Sequence, residues 1–154
     1  MANIAMPKFN EWVRGADLSR RGDPLWSVQA YRLSLYAVDC HAHDRRECSA
    51  LQTAAVLDQL TRAVGSIAAN IAEGYSRSTV PDRARFYGYA LGSTREAIAW
   101  YDSLKLELDV LAEDRQATLI QIRRLLLTTL RNSRADGTPH SLSDLPPNPR
   151  PSDN

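Results

Sequence analysis

Cys40-His41-Ala42-His43-Asp44, with Cys48 four residues further on, is the densest run of metal-ligating side chains in this 154-residue chain. Zinc would require four such groups converging tetrahedrally. If a helix runs through Asp44, His41 points about 100 degrees from Cys40 and about 200 degrees from His43. The ligands could meet only if the helix unwound and Cys48 folded back across a short loop. The spacing therefore predicts a helix end with an ordinary buried Cys40, and no metal or cofactor.

Other chemistry is equally thin. A di-iron bundle needs Glu-x-x-His pairs on two helices, and the sequence has none. There is no Gly-x-x-x-x-Gly-Lys phosphate loop, no Gly-x-Ser-x-Gly elbow and no His-Glu-x-x-His. Three histidines in all, one of them His140 near the end, leave little for acid–base work. The expectation is a protein that is not an enzyme.

Arginine is the more suggestive residue. Arg45 and Arg46 sit at one predicted turn, and Arg77, Arg83 and Arg85 bracket another. Arg123, Arg124, Arg131 and Arg134 run along the last predicted helix. Guanidinium groups bind phosphate bidentately, so these seven (Arg77, Arg83, Arg85, Arg123, Arg124, Arg131 and Arg134) are the candidate nucleic-acid contacts. Whether they gather at one end depends on packing. Asp82, Glu113 and Asp114 dilute them, and a solvated charged face is the plainer reading.

Two segments combine helical spacing with small and polar residues where leucine is usual. In the first, Ala63, Ser66, Asn70 and Glu73 step 3, 4, 3 and lead to Gly74. In the second, Gly92, Ser93 and Glu96 lie within about one turn. Small residues permit close approach, and polar groups in a core need partners. These lines are expected to face one another as a bonded seam that fixes helix register, with Arg62 neutralising Glu73 or Glu96. The alternative is a ligand pocket of Asn70, Glu73 and Glu96.

The elements that would carry these groups are all helical. Asp23-Pro24 reads as an N-cap followed by proline, opening a helix to about Asp44 with Val28, Tyr31, Leu35, Val38 and Ala42 as its stripe. Ser49-Ala50-Leu51-Gln52 fits a capping box. It precedes a helix with Leu57, Leu60, Val64, Ile67 and Ile71 inward, which Gly74 ends. Thr79-Val80-Pro81-Asp82 caps a third helix to about Leu108, apolar along both a Phe86–Leu104 line and a Tyr87–Tyr101 line. A fourth, roughly 113–134, shows Leu119, Ile122, Leu126 and Leu130, widened by Leu125 and Leu127. Period-2 alternation is lacking, so strands are not expected. Short connections imply an up-down-up-down four-helix bundle.

Ser66-Ile67-Ala68-Ala69-Asn70-Ile71-Ala72-Glu73-Gly74, followed by Ala90-Leu91-Gly92-Ser93 and Glu96, closely resembles the four-helix-bundle family first noted as open reading frames within intervening sequences of bacterial 23S ribosomal RNA genes. That family also includes the accessory variability protein of diversity-generating retroelements. The resemblance covers about 24–134. It implies a ring-like homopentamer and, for the retroelement branch, a basic surface that binds nucleic acid and a reverse transcriptase. This chain departs from that branch in charge: 19 basic residues stand against 18 acidic.

The division that follows is an N-terminal arm (1–23), the bundle (24–134) and a disordered, proline-rich tail (135–154). The arm's Phe9, Trp12 and Val13 are spaced to pack on the bundle or a neighbouring chain. With the second stripe of the third helix, they are the expected subunit contacts. The start has no basic-then-apolar leader, no run approaches a bilayer's thickness, and two cysteines make no disulfide framework. A cytoplasmic location follows. The expected function is a non-catalytic oligomeric binding module or scaffold. It would serve as an accessory to a nucleic-acid-processing partner or, alternatively, bind RNA or DNA directly.

Overall fold

The computed structural model describes residues 6–47 and 53–135, all helix and connecting turn with no strand among them. Short helices α1 (Phe9–Gly15) and α2 (Leu18–Arg21) form the arm. A 3-10 turn (Pro24–Ser27) leads to α3 (Gln29–Glu47), followed by α4 (Ala54–Tyr75) and α5 (Val80–Ser103). A four-residue α6 (Lys105–Leu108) then turns the chain into α7 (Val110–Ala135). The long helices pack in a cycle: α3 on α4, α4 on α5, α5 on α7 and α7 on α3. Cys48 and the capping box at 49–52 lie outside the described residues, as does the tail beyond Ala135.

Boundaries follow local chemistry. Asp23 caps the 3-10 turn by accepting from the Leu25 amide at 2.8 Å. The helix predicted from Pro24 instead breaks at Val28, which is extended (φ −74, ψ 111), and restarts at Gln29. Thr79 caps α5 through the Asp82 amide, with proline in the first turn. The helix expected to reach Leu108 stops at Ser103, because Leu104 leaves helical geometry. In the arm, Asp17 accepts from the Arg20 amide and so starts α2, which the spacing did not predict.

The inward face of α4 is the predicted one, since Leu57, Leu60, Val64, Ile67 and Ile71 are all buried. On α7, Leu119, Ile122 and Leu126 are buried, but Leu127 lies outside. On α3 the stripe is misplaced. Val28, Tyr31, Leu35 and Val38 are only half-buried and Ala42 is exposed. The buried line is instead Ala30, Leu33, Ala37, Cys40 and Asp44, stepping 3, 4, 3, 4.

Asp44 is the reason for that rotation. Its side chain is fully buried. Arg115 of α7 grips it in two places, with Nε 2.9 Å from Oδ2 and a terminal nitrogen 2.8 Å from Oδ1. Tyr101 of α5 donates its hydroxyl to Oδ2 at 3.0 Å. Burial works against the Arg115 charge, but the bonds to Asp44 outweigh it and hold its pKa above the ordinary value. Burial, together with the neighbouring Asp44 charge, drives the Tyr101 phenol well above its usual range. Three helices are thus tied at one level by one carboxylate.

Gly74 also has a different task from the helix stop expected of it. The helix runs on through Tyr75. A Cβ at Gly74 would sit 2.7 Å from Tyr87 Cε1. The glycine lets α4 and α5 approach closely.

Losing one member of a buried pair strands the other charge, at a cost of about 3–5 kcal/mol. Asp44→Leu and Arg115→Met should each lower unfolding stability by about that much, measured by urea denaturation. The double variant should recover a large part of the loss.

Candidate functional site

The polar seam expected between α4 and α5 does not form as a bonded network. Asn70 donates to its own helix, at the Ser66 carbonyl, 2.8 Å away. Glu73 pairs with Arg77 one turn along. Glu96 is exposed and accepts from Trp100 Nε1 at 3.3 Å, again within its own helix. Arg62 and Gly92 are exposed, and Ser66 and Ser93 half-buried. The two helices do meet through small residues, but the buried ones are Ala63, Gly74, Ala90 and Ala97. The buried polar group there, Thr94, donates to the Ala90 carbonyl at 2.7 Å. For Asn70 and Thr94 the helical backbone one turn back is the partner, and for Glu73 and Glu96 a side chain one turn ahead. The alternative of a pocket built from Asn70, Glu73 and Glu96 loses its basis with the seam.

What the motif places on the outside is more informative. Gly65 on α4 and Gly88 and Gly92 on α5 are interior to their helices, Gly88 and Gly92 exposed and Gly65 half-buried. A methyl group added at any of the three would meet nothing within 4 Å. Glycine inside a helix costs roughly 0.5–1 kcal/mol relative to alanine. No packing within the chain requires that sacrifice. Gly88 and Gly92 lie one turn apart on one exposed face, and Ala99 continues the line of small residues.

The candidate arginines divide into two sets. Arg77, Arg83 and Arg85 gather where α4 passes into α5. The guanidinium carbons of Arg77 and Arg85 stand 4.9 and 5.4 Å from the centre of the Phe86 ring. Arg85 also pairs with Asp82 at 3.2 Å, and Arg83 donates to the Arg77 carbonyl at 3.1 Å. On α7, Arg124 and Arg131 are exposed and Arg123 half-buried. From Arg115 to Ala135 the helix carries no acidic residue. The side chain of Arg134 lies outside those described.

The Cys-His run is packed for structure. Cys40 is buried, which pushes its thiol up to about 11. His43 Nδ1 is 3.7 Å from Asp44 Oδ1. Among the described residues no group of three or more His, Cys, Asp or Glu is placed to hold a metal ion. A recess beside the ion pair, between Cys40, Arg115 and Leu119, is too narrow for a water molecule. The arm covers the outer side of α3: Trp12 Nε1 donates to Asp39 at 2.8 Å and the Tyr36 hydroxyl to the Pro7 carbonyl at 2.9 Å.

The residues so placed can be matched to known sequences. The profile of the 23S rRNA-intervening sequence protein family covers residues 33–130, from the second turn of α3 well into α7. The chain belongs to that family. The matched stretch contains Asp44, Tyr101 and Arg115 as well as all three outward glycines, and leaves the arm outside. No curated protein matches the chain. Among the described residues no helix is long and apolar enough to cross a membrane.

His41 gives the region a defined acid response. The Thr61 hydroxyl donates to the Leu57 carbonyl, so His41 Nε2, 2.8 Å from that oxygen, must be the donor to it. Nδ1 is then the bare nitrogen, buried with no partner. Burial lowers the His41 pKa, more than the nearby Asp44 charge raises it. An unfolded chain takes up that proton near pH 6.5 and the folded one only below it, so stability falls as pH drops through this window. Thermal melts at pH 7.5 and 5.5 should show this loss in the native chain and a smaller one in His41→Gln.

Proposed function

We propose that the protein is a non-catalytic, self-assembling module of four antiparallel helices, built to present a multivalent surface. The three outward glycines carry this reading. Each gives up helix stability with no return inside its own subunit, and a flat glycine face returns that cost only when another backbone lies against it. The faces of α4 and α5 that bear Gly65, Gly88 and Gly92 would therefore form the contact between copies. A ring of five such subunits, the assembly the family resemblance implies, uses one repeated contact closed by rotation. In the cell this assembly would act in the cytoplasm as a scaffold, and its place beside a nucleic-acid-processing partner rests on the family alone.

A second reading has an observation of its own. The later half of α7 is free of acidic residues, and three arginines gather at the α4–α5 turn, so local positive potential exists on a chain of near-zero net charge. Repetition around a ring would multiply it. Direct binding of RNA or DNA through Arg77, Arg83, Arg85, Arg123, Arg124 and Arg131 is the activity this surface favours.

Two measurements test these readings. Gly88→Ala and Gly92→Ala add a helix-favouring methyl in open space, so unfolding of the dissociated subunit should strengthen by about 0.5–1 kcal/mol. Assembly, followed by sedimentation, should weaken in the same variants and fail in Gly92→Leu. Unchanged assembly in all three would remove the glycine face from the interface. Nucleic-acid binding should fall steeply with added salt, as phosphate contacts release counterions, and Arg124→Gln/Arg131→Gln should flatten that slope. A salt-independent affinity would refute the second reading.

A further inference from the structure

Charge is sorted along this molecule in a way its total conceals. Between Asp102 and Asp114 the sequence carries five carboxylates against Lys105 alone. All five are exposed, at the corner where α5 passes through α6 into α7. That corner also exposes apolar surface: Leu106 is 98% and Val110 62% accessible. Between them Asp109 holds φ at 45 and ψ at −122, the one positive φ of a non-glycine residue among those described. An L residue is strained there. Its backbone bonds are local, to the Lys105 carbonyl and from the Ala112 amide, and the turn it makes seats Leu108 and Ala112 in the core. Leu106 and Val110, on either side of this turn, lie out in solvent.

The opposite end of α5 carries the complementary chemistry. The guanidiniums of Arg77 and Arg85 both stand over the Phe86 ring. Tyr89, 54% exposed, meets the Phe86 ring edge-on at 5.8 Å. The Arg77 and Arg85 side chains are 45% and 57% exposed, and a guanidinium has five N–H donors, of which the pairs with Glu73 and Asp82 use only part. One end thus offers aliphatic groups in an acidic rim, and the other aromatic groups in a basic rim. Leu106 lies about 30 Å along the chain's helical rise from Phe86, so the two patches of one copy cannot meet.

We infer that the Leu106–Val110 corner docks on the Arg77–Phe86–Arg85 patch of a second copy, joining subunits or whole assemblies end to end. This contact is heterologous and can repeat into a stack; its basic half borders the glycine face, because Arg85 and Tyr89 share one side of α5 with Gly88 and Gly92. A second copy fits better than an unrelated basic partner because this chain already carries both halves, matched in charge sign and in apolar anchors.

Sedimentation velocity and light scattering of the full chain over rising concentration, at low and high salt, test the contact. The native chain should form species larger than its basic assembly at low salt, and these should shrink as salt is added. Leu106→Glu, at a fully exposed position, should abolish the larger species while leaving the basic assembly and the helical circular dichroism intact. Glu107→Arg and Arg85→Glu should each weaken the step about tenfold alone, and mixing the two variants should restore it through the swapped charges. A native chain that behaves like Leu106→Glu throughout, or a mixture with no recovery, overturns the inference.

Discussion

The carboxylate of Asp44 is the constraint to which most of this fold answers. A fully buried charge is tolerated only when its partners are well placed. Here Arg115 and Tyr101 supply three close bonds from two other helices. That demand sets the rotation of α3 about its axis, which carries Leu33, Ala37 and Cys40 inward with Asp44 and leaves Val28, Leu35 and Val38 at the margin. It also sets the level at which α5 and α7 meet α3. Hydrophobic packing can be satisfied by several registers of neighbouring helices, whereas a bidentate ion pair is satisfied by one. The energetic return is small or negative against a well-packed apolar replacement, so its value here lies in fixing position.

Small residues then do two separate jobs on the same pair of helices. On the inside, Gly74 makes room for the ring of Tyr87, and Ala63, Ala90 and Ala97 are fully buried. On the outside, Gly65, Gly88 and Gly92 make room for nothing in their own chain. The two sets are interleaved along the helices, so they read together as a single motif although they look in different directions. Self-assembly through the outer set, as proposed here, would make the motif a statement about two interfaces at once.

This interleaving explains how far the sequence could be read. The α4 stripe was legible because its inward positions are large aliphatics at regular spacing. The α3 stripe was not, because its inward positions include Ala, Cys and Asp, which a search for greasy periodicity passes over. The run at Cys40–Asp44 attracted attention for metal chemistry, while its true partner, Arg115, lies 71 residues away and carries no local signal. The pairing could have been suspected only by asking which arginine of a fourth helix sits at the level of Asp44 and Tyr101. The motif Ser66–Gly74 with Gly92–Glu96 marks the family, yet it is no bonded seam: Asn70, Glu73 and Glu96 are each satisfied within or beside their own helix. The exposed glycines Gly88 and Gly92 stand one turn apart in the sequence, but their significance needs the knowledge that space lies outside them.

Net charge proved the least useful of the global quantities. A total near zero excludes only a large net field on the whole molecule, and here the sum hides an acidic corner at 102–114 and a later half of α7 without a single carboxylate. Fields at a surface depend on local density within a Debye length of about 10 Å, and the helices here are several times that length. A long helical subunit can therefore be neutral as a whole and strongly polar along its axis. Any assembly with its symmetry axis parallel to those helices would line up the acidic corners on one side and Arg77, Arg83 and Arg85 on the other. Each side of such a particle then has its own sign, and ligands or further copies meet a face rather than an average.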